Sequence, residues 1–277
     1  MSMSVQTYEQ ELEAWRAMQE ASWRQENGWL ALAGLFWLEE GESRMGTGPD
    51  MEIQLPSGKA PAHLATITLK EGKVRLTAPA GSPVYVDGQP VTDIEMMPER
   101  PGPATIVTSG SLAFFIKNED DDFMAVRLWD NDREERQSFP GREWYPIQDA
   151  YRVTGRFEPN PHTEEFPRTF GMVAEKETLG TVKFELLGQE LALQALPGRP
   201  GTLFLIFRDK TSGQSTYAPG RYMLGELGDD NTVTLDFNKA FNPPCSVTNY
   251  ATCMFPPPSN HLPVVIEAGE KYVDFLH

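Results

Sequence analysis

The sequence lacks most of the features that identify the common classes of protein. Only two of its 277 residues are cysteines, Cys245 and Cys253, which argues against a disulfide framework or a Cys/His zinc site and leaves at most one bridge between them. No apolar run reaches the roughly 18 residues of a transmembrane helix. The Gly-x-Ser-x-Gly, His-Glu-x-x-His, Walker and dinucleotide-binding patterns are absent. We therefore predict no metal site and no cofactor.

Positive charge is also scarce. The chain has 24 Lys and Arg residues against 40 Asp and Glu, a net charge of −16. Like-charge repulsion then disfavours nucleic acid and anionic membranes as partners. The N-terminal segment carries acidic residues where a secretory signal needs a basic start and an apolar run. These observations predict a soluble, cytoplasmic protein, and they leave its oligomeric state open.

Glycine and proline are plentiful, at 46 residues together, which predicts frequent turns and a mainly β fold. One helix is expected at the N-terminus, because Tyr8, Leu12, Trp15 and Trp23 recur at helical spacing. We expect it to end near Asn27-Gly28. The apolar residues 29–38 then dock the helix onto the body, so that residues 1–40 form the first segment.

Residues 41–138 contain short runs with apolar and polar residues in alternation, separated by turn signals, which is typical of a β-sandwich. The sequence here resembles a forkhead-associated domain in the order of its segments 41–46, 50–56, 63–65, 87–88 and 111–116. The resemblance implies a similar sandwich. Forkhead-associated domains bind phosphothreonine through an Arg, a Ser and an Asn, where this chain has Thr47, Ala60 and Asp87. We therefore predict a degenerate sandwich that does not recognise phosphothreonine.

A second antiparallel β unit, a barrel or a sandwich, is predicted for residues 139–277. Its most unusual part is a proline-rich strap, residues 241–266, which contains six prolines and no Asp, Glu, Lys or Arg. The prolines exclude a helix and favour extended backbone. We expect a rigid, largely buried and irregular segment that closes the second β unit.

Polar residues beside and within this strap are the candidate site. In residues 232–238 the strand period directs Val233, Leu235 and Phe237 to one face and places Asp236 with Asn238 on the other. A dry wall with two arginines and several tyrosines nearby suits a small polar or anionic ligand. The predicted ligand-binding residues are Arg208, Tyr217, Arg221, Tyr222, Asn238, Asn242, Cys245, Tyr250, Asn260 and Glu270.

Two alternatives concern the chemistry of this site. Asp236 and Glu267 are the candidate catalytic residues, as general acid or base, if a reaction such as hydrolysis takes place. A nucleophilic Cys245 or Cys253 is less well supported, because neither follows an apparent helix start. The structural alternative is a buried ion-pair lattice in which Arg208 and Arg221 pair with Asp236 and Glu267.

Long motifs give the chain a wider family resemblance. GWLALAGLFWLEEGE, FPGREWYP, YRVTGRF, FRDKTSG, TYAPGRYM, LDFNKAFNPPC and LPVVIEAGEKY look like the bacterial and archaeal family called domain of unknown function 1684. The resemblance implies no activity. Two hypotheses follow from the residues: a small-molecule site in the second β unit, or an interaction protein that uses the degenerate sandwich and exposed Trp15 and Trp23 as partner surfaces.

Overall fold

The computed structural model describes residues 7–119 and 123–276. Within this part of the chain the fold is mainly β, with an N-terminal helix, β-sheets and a closed six-stranded barrel, as the sequence predicts. The chain forms two compact units. One is continuous, from Trp23 to Phe139, and the other combines the N-terminal residues up to Ser22 with the residues from Pro140 onward. In the described residues, no helix has the length and apolar character needed to span a bilayer.

Helix α1, Tyr8–Arg24, belongs to the second unit up to Ser22. Trp15 packs edge-on against Trp144 and Phe241, with ring centroids 5.6 and 6.5 Å apart. Arg16 is buried, because its guanidinium lies over the Trp144 ring and donates to the Tyr145 carbonyl at 3.2 Å. Trp15 is half-buried and Trp23 is buried. The prediction that both tryptophans are exposed is therefore wrong.

The continuous unit contains two sheets. One has six strands in the order β1-β11-β10-β9-β6-β7 and the other five in the order β3-β2-β4-β5-β8. Residues 29–38, predicted as a docking segment, supply a short 3-10 turn and the edge strand β1. A second short helix, α2 (Glu135–Ser138), ends the unit. The strands are β1 Leu32–Trp37, β2 Gly41–Gly46, β3 Ile53–Gln54, β4 Ala65–Lys70, β5 Lys73–Thr77, β6 Tyr85–Val86, β7 Gln89–Pro90, β8 Asp93–Met96, β9 Val107–Ser109, β10 Leu112–Glu119 and β11 Phe123–Asp130.

Both sheets bury their apolar residues in one shared core. Met45, Ile67 and Leu76 come from the five-stranded sheet, and Phe114 and Leu128 from the six-stranded sheet. The alternation of apolar and polar residues in the sequence is thus the alternation between core and solvent in the strands. The unit is a β-sandwich.

The second unit is built on the barrel. Each strand pairs antiparallel with the next, and β12 pairs with β17 to close the ring. This settles the choice between barrel and sandwich that the sequence leaves open. The strands are β12 Arg152–Pro167, β13 Val173–Leu186, β14 Gln189–Pro197, β15 Thr202–Phe207, β16 Arg221–Leu227 and β17 Thr232–Asp236.

The proline-rich strap follows the barrel as irregular chain with 3-10 turns at Pro244–Ser246 and Pro258–Asn260. Its last part is extended, and alternate residues Leu262, Val264 and Ile266 enter the barrel core. The strap therefore contributes to the core as well as covering it, which explains why a long irregular segment contains no charge.

Candidate functional site

Arg221 is the centre of a buried ion-pair network at the start of β16. Gly220 before it has a φ of +126°, a conformation that favours glycine. The Arg221 guanidinium is 0% exposed and donates to the Asp209 carboxylate at 3.4 Å, to the Ile266 carbonyl at 3.1 Å and to the Ala268 carbonyl. Burial lowers the pKa of Arg221, and the Asp209 carboxylate opposes this shift. The network fixes the end of the strap against the barrel.

Asp209 is saturated by hydrogen bonds from its neighbours. Its carboxylate accepts from the Thr211 hydroxyl at 2.8 Å and from the Ile266 backbone N–H at 2.7 Å, in addition to Arg221. Both carboxylate oxygens thus accept hydrogen bonds from groups of the fold. Asp209 therefore serves the fold, and the group is held by protein contacts alone.

Glu270 forms the second ion pair of the network, with Arg142. The guanidinium donates to both carboxylate oxygens, at 2.8 and 2.5 Å, and the Asn242 backbone N–H adds a third bond at 2.7 Å. Burial raises the pKa of Glu270, and Arg142 acts in the opposite direction. Asn242 also donates through its side chain to the Lys271 carbonyl at 2.8 Å. Glu270 and Asn242, both predicted to bind a ligand, are thus bonded to each other.

The predicted catalytic residues Asp236 and Glu267 lie in different surroundings. Asp236 is buried and accepts from the Tyr8 hydroxyl, which lies 2.9 Å from each oxygen, and from Asn238 at 3.1 and 3.2 Å. Burial first, and then the Asp236 carboxylate, raise the pKa of Tyr8. Glu267 is exposed; its backbone N–H donates to the Tyr151 hydroxyl at 3.3 Å and its carbonyl accepts from the Gln148 side-chain amide at 3.5 Å. Within the described residues its carboxylate makes no hydrogen bond. Asp236 ends β17 and Asn238 lies in the 3-10 turn Phe237–Lys239 that follows, so the two share a cluster through this turn and not through the strand period that the sequence predicts. Tyr8 of helix α1 covers the cluster.

Asn260 and Arg208 differ in their burial and in their hydrogen bonds. Asn260 is 0% exposed; it accepts from the Gln194 N–H at 2.7 Å and donates to the Ile206 carbonyl at 2.8 Å. Arg208 is half-buried, and within the described chain its guanidinium makes no hydrogen bond or ion pair. The pairing predicted for a buried lattice is therefore wrong, because Arg221 pairs with Asp209 and Arg142 with Glu270.

An open cleft of about 420 Å³ brings two predicted ligand-binding residues together. One wall is the turn between β12 and β13, and the other is the strap. Phe170, in the turn, has a φ of +62°, and a left-handed backbone conformation at a large residue is strained. The residue is also 54% exposed. The cleft is lined by Arg168, Thr169, Phe170, Gly171, Tyr217, Cys245, Thr248, Asn249, Ala251 and Phe255.

Two of the three tyrosines predicted for the site donate hydrogen bonds to the strap. The Tyr217 hydroxyl donates to the Cys245 carbonyl at 2.9 Å, and the Tyr222 hydroxyl donates to the Met254 carbonyl at 2.7 Å. Burial raises the pKa of both phenols. Tyr250 is half-buried and is not among the lining residues. Of the predicted set, the cleft therefore presents Tyr217 and Cys245.

Sequence reasoning missed Asp209, Arg142 and the turn residues beginning at Arg168. Asp209 stands in the motif FRDKTSG and Arg142 in FPGREWYP, so both motifs contained a signal. Their partners are distant in sequence, since Arg142 and Glu270 are 128 residues apart. No cluster of three or more metal-ligating His, Cys, Asp or Glu side chains occurs in residues 7–119 and 123–276.

Comparison with known proteins places the barrel unit in a family. The family model described as a protein of unknown function, DUF1684, matches residues 137–271. The chain belongs to this family through that segment, which includes the ion-pair network, the strap and the cleft.

Solved structures add two weaker likenesses. The solution NMR structure of an uncharacterized protein from Haloarcula marismortui is 34% identical over 52% of this chain and 82% of that chain, with a TM-score of 0.42. A structure from work on phosphothreonine-dependent forkhead-associated domain interactions is 14% identical over 34% of this chain and 92% of that chain, with a TM-score of 0.25. Neither superposition is close enough to support an argument. No curated protein matches the chain.

Proposed function

We propose that the cleft between the β12–β13 turn and the strap binds a small polar molecule, with a small anion preferred. The observation that supports this most is the charge of its lining. Arg168 is the one charged side chain among the ten described lining residues, and none of the ten is an Asp or Glu, in a chain whose net charge is −16. An anion meets less repulsion there than over the rest of the surface.

The other lining groups fit a small amphipathic anion. Asn249 is exposed and supplies amide donors, and Thr248 supplies a hydroxyl. Phe170 and Phe255 offer apolar rings to the body of the ligand. A guanidinium with a few polar groups on an apolar wall is the usual composition of a carboxylate site. Asp236 and Glu267 do not line the cleft, so the proposal is one of binding and assigns no reaction.

The test compares benzoate with its neutral analogue benzamide at constant ionic strength. Benzoate is expected to raise the melting temperature and to give saturable binding in calorimetry, because a ligand that binds only the folded state stabilises it. Benzamide is expected to bind more weakly. Inorganic phosphate tests whether an apolar body is required.

Asn249→Asp is the decisive variant, because it adds a negative charge at an exposed lining position. It should weaken benzoate binding about tenfold, which corresponds to like charges a few ångströms apart in a partly solvated site. Asn160→Asp is the matched control, with the same charge change at an exposed residue outside the cleft. Equal affinity in the two variants, or no benzoate effect beyond that of chloride, would refute the proposal.

A second candidate is an interaction module built on the sandwich, with the degenerate forkhead-associated character that the sequence suggests. Trp37, at the end of edge strand β1, contacts Phe123 edge-on at 6.4 Å, and the two are 38% and 57% exposed. Trp37 lies on the edge strand and Phe123 at the start of the neighbouring strand β11, and exposed aromatic pairs of this kind are typical of partner surfaces. Thr47, where a phosphothreonine-binding Arg would stand, donates instead to the Ala60 carbonyl at 3.1 Å.

A photo-crosslinking residue placed at Trp37 in the native cell tests this candidate. It should capture one discrete partner, whereas the same residue at Tyr85, which is also 38% exposed on this unit, should not. Identical capture from both positions, or none from Trp37, would exclude the surface.

A further inference from the structure

We propose that Cys245 and Cys253 form a thiol–disulfide modification site, at which a small disulfide such as glutathione disulfide converts the pair to an intramolecular bridge. Both cysteines are reduced and buried in the structure. The Cys253 sulfur accepts a hydrogen bond from the Cys245 backbone N–H at 3.4 Å. The Cys253 sulfur therefore already lies against the backbone of Cys245 within the strap.

The backbone holds the two cysteines in place from outside. Cys245 is held through its carbonyl oxygen by the Tyr217 hydroxyl. The Cys253 N–H donates to the Thr169 hydroxyl at 3.1 Å, and its carbonyl accepts from the Thr169 N–H at 3.0 Å. Prolines flank this part of the strap and restrict its backbone further. Such restraint keeps the sulfur atoms close and raises the effective concentration of one thiol at the other.

Access to the pair is unequal. Cys245 lines the cleft, whereas Cys253 is not among the lining residues. Cys245 is thus the thiol that an incoming disulfide reaches, and Cys253 is the one that resolves the product. Contact with Cys253 and burial raise the pKa of Cys245, so the thiolate is scarce at neutral pH and the reaction should speed up as the pH rises.

The exchange proceeds in two steps. The Cys245 thiolate attacks one sulfur of glutathione disulfide, a sulfur–sulfur bond forms to Cys245, and one glutathione leaves as its thiolate. The Cys253 thiolate then attacks the Cys245 sulfur and displaces the second glutathione. The two protein thiols are oxidised, glutathione disulfide is reduced to two glutathione molecules, and the two thiol protons pass to these products. After the bridge has formed, the wall of the cleft no longer contains a free thiol at Cys245.

Oxidation can be read from one peptide of the full chain. The folded protein is equilibrated in buffers of oxidised and reduced glutathione, quenched with acid, alkylated with N-ethylmaleimide and digested with trypsin. Because no Lys or Arg lies between Lys239 and Lys271, one tryptic peptide carries both cysteines. The bridged form has lost two hydrogen atoms and carries no alkyl group, so it is distinct from the alkylated dithiol and from a glutathione adduct.

The same equilibrium in urea supplies the control, since the unfolded chain has the cysteines eight residues apart without the fold's restraint. We expect the equilibrium constant for the bridge to be at least about tenfold greater in the folded protein than in urea. An equal or smaller constant in the folded protein, or glutathione adducts without a bridge, would overturn the proposal.

Two variants separate the roles of the thiols. Cys253→Ser should accumulate the glutathione adduct at Cys245, because the resolving thiol is gone, whereas Cys245→Ser should leave Cys253 mostly unmodified. If Cys253 reacts as readily as Cys245, the assignment of the entry thiol is wrong. The comparison of the native protein with urea stays decisive if either variant fails to fold.

Discussion

The ion-pair network and the cleft lie in the same unit, and each contains residues that the sequence marks as unusual, but their polar groups are used differently. In the network, Arg221 and Glu270 are fully enclosed and bonded to protein atoms. In the cleft, Asn249 and the ring of Phe170 face solvent. Buried charges that pair with each other stabilise the fold, whereas an exposed amide in the strap, beside the strained turn at Phe170, is the kind of group on which the proposed binding depends.

The largest effect that tests this comparison is expected from Arg221→Met. It leaves the Asp209 carboxylate buried without its cation, which costs about 3–5 kcal/mol in the free energy of unfolding. Urea denaturation measures the change. Arg208→Met is the matched control and should cost less than about 1 kcal/mol, because the Arg208 guanidinium has no bonded partner in the described chain. Similar losses in the two variants would mean that the network does not stabilise the barrel unit.

Glu270→Gln should come next, at about 2–3 kcal/mol, because Arg142 then keeps hydrogen-bond partners but loses the charge that faces it. Urea denaturation again gives the value. The cleft should not respond, so benzoate binding at a temperature where the variant is folded should match the native protein. Loss of benzoate binding in the folded variant would show that the ion-pair network and the cleft are coupled.

Tyr8→Phe removes the hydroxyl that bonds Asp236 and should cost about 1 kcal/mol at neutral pH. It also tests a dependence on pH. Since the folded-state pKa of Tyr8 is raised above its ordinary value of 10.0, the native protein keeps this proton above pH 10 while the unfolded chain releases it. Its contribution to stability is therefore complete below pH 10 and is lost as the pH rises towards the folded-state pKa.

The alkaline fall in the free energy of unfolding should accordingly be shallower in Tyr8→Phe than in the native protein, as followed by urea denaturation at several pH values. Equal slopes would show that this hydroxyl does not retain its proton in the fold.

The smallest effect is expected for Asn249→Ala in the cleft, at less than about 0.5 kcal/mol, because the side chain is exposed. Thermal and urea denaturation both report it. A loss of more than 1 kcal/mol would place Asn249 in the framework of the fold and weaken the contrast on which the proposed function depends.

The sequence predicts most of the secondary structure because alternation and turn signals are local. Val233, Leu235 and Phe237 occupy the barrel core as their spacing requires. The sequence also identifies the uncharged strap, which contains Cys245, one of the residues that line the cleft. The sequence does not predict which charged residues pair. Arg142 and Glu270, for example, are brought together only because the closed barrel places distant segments of the chain side by side. The strained backbone at Phe170 also has no signal, because aromatic residues seldom adopt it.

The packing of helix α1 has a consequence for how the protein is made. Tyr8 and Trp15 pack against Asp236, Trp144 and Phe241, so helix α1 is synthesised long before its partners. The unit from Trp23 to Phe139 can fold during synthesis, as continuous domains do. The barrel unit is completed only after the strap has been synthesised, and until then the apolar face of helix α1 lacks the residues that cover it.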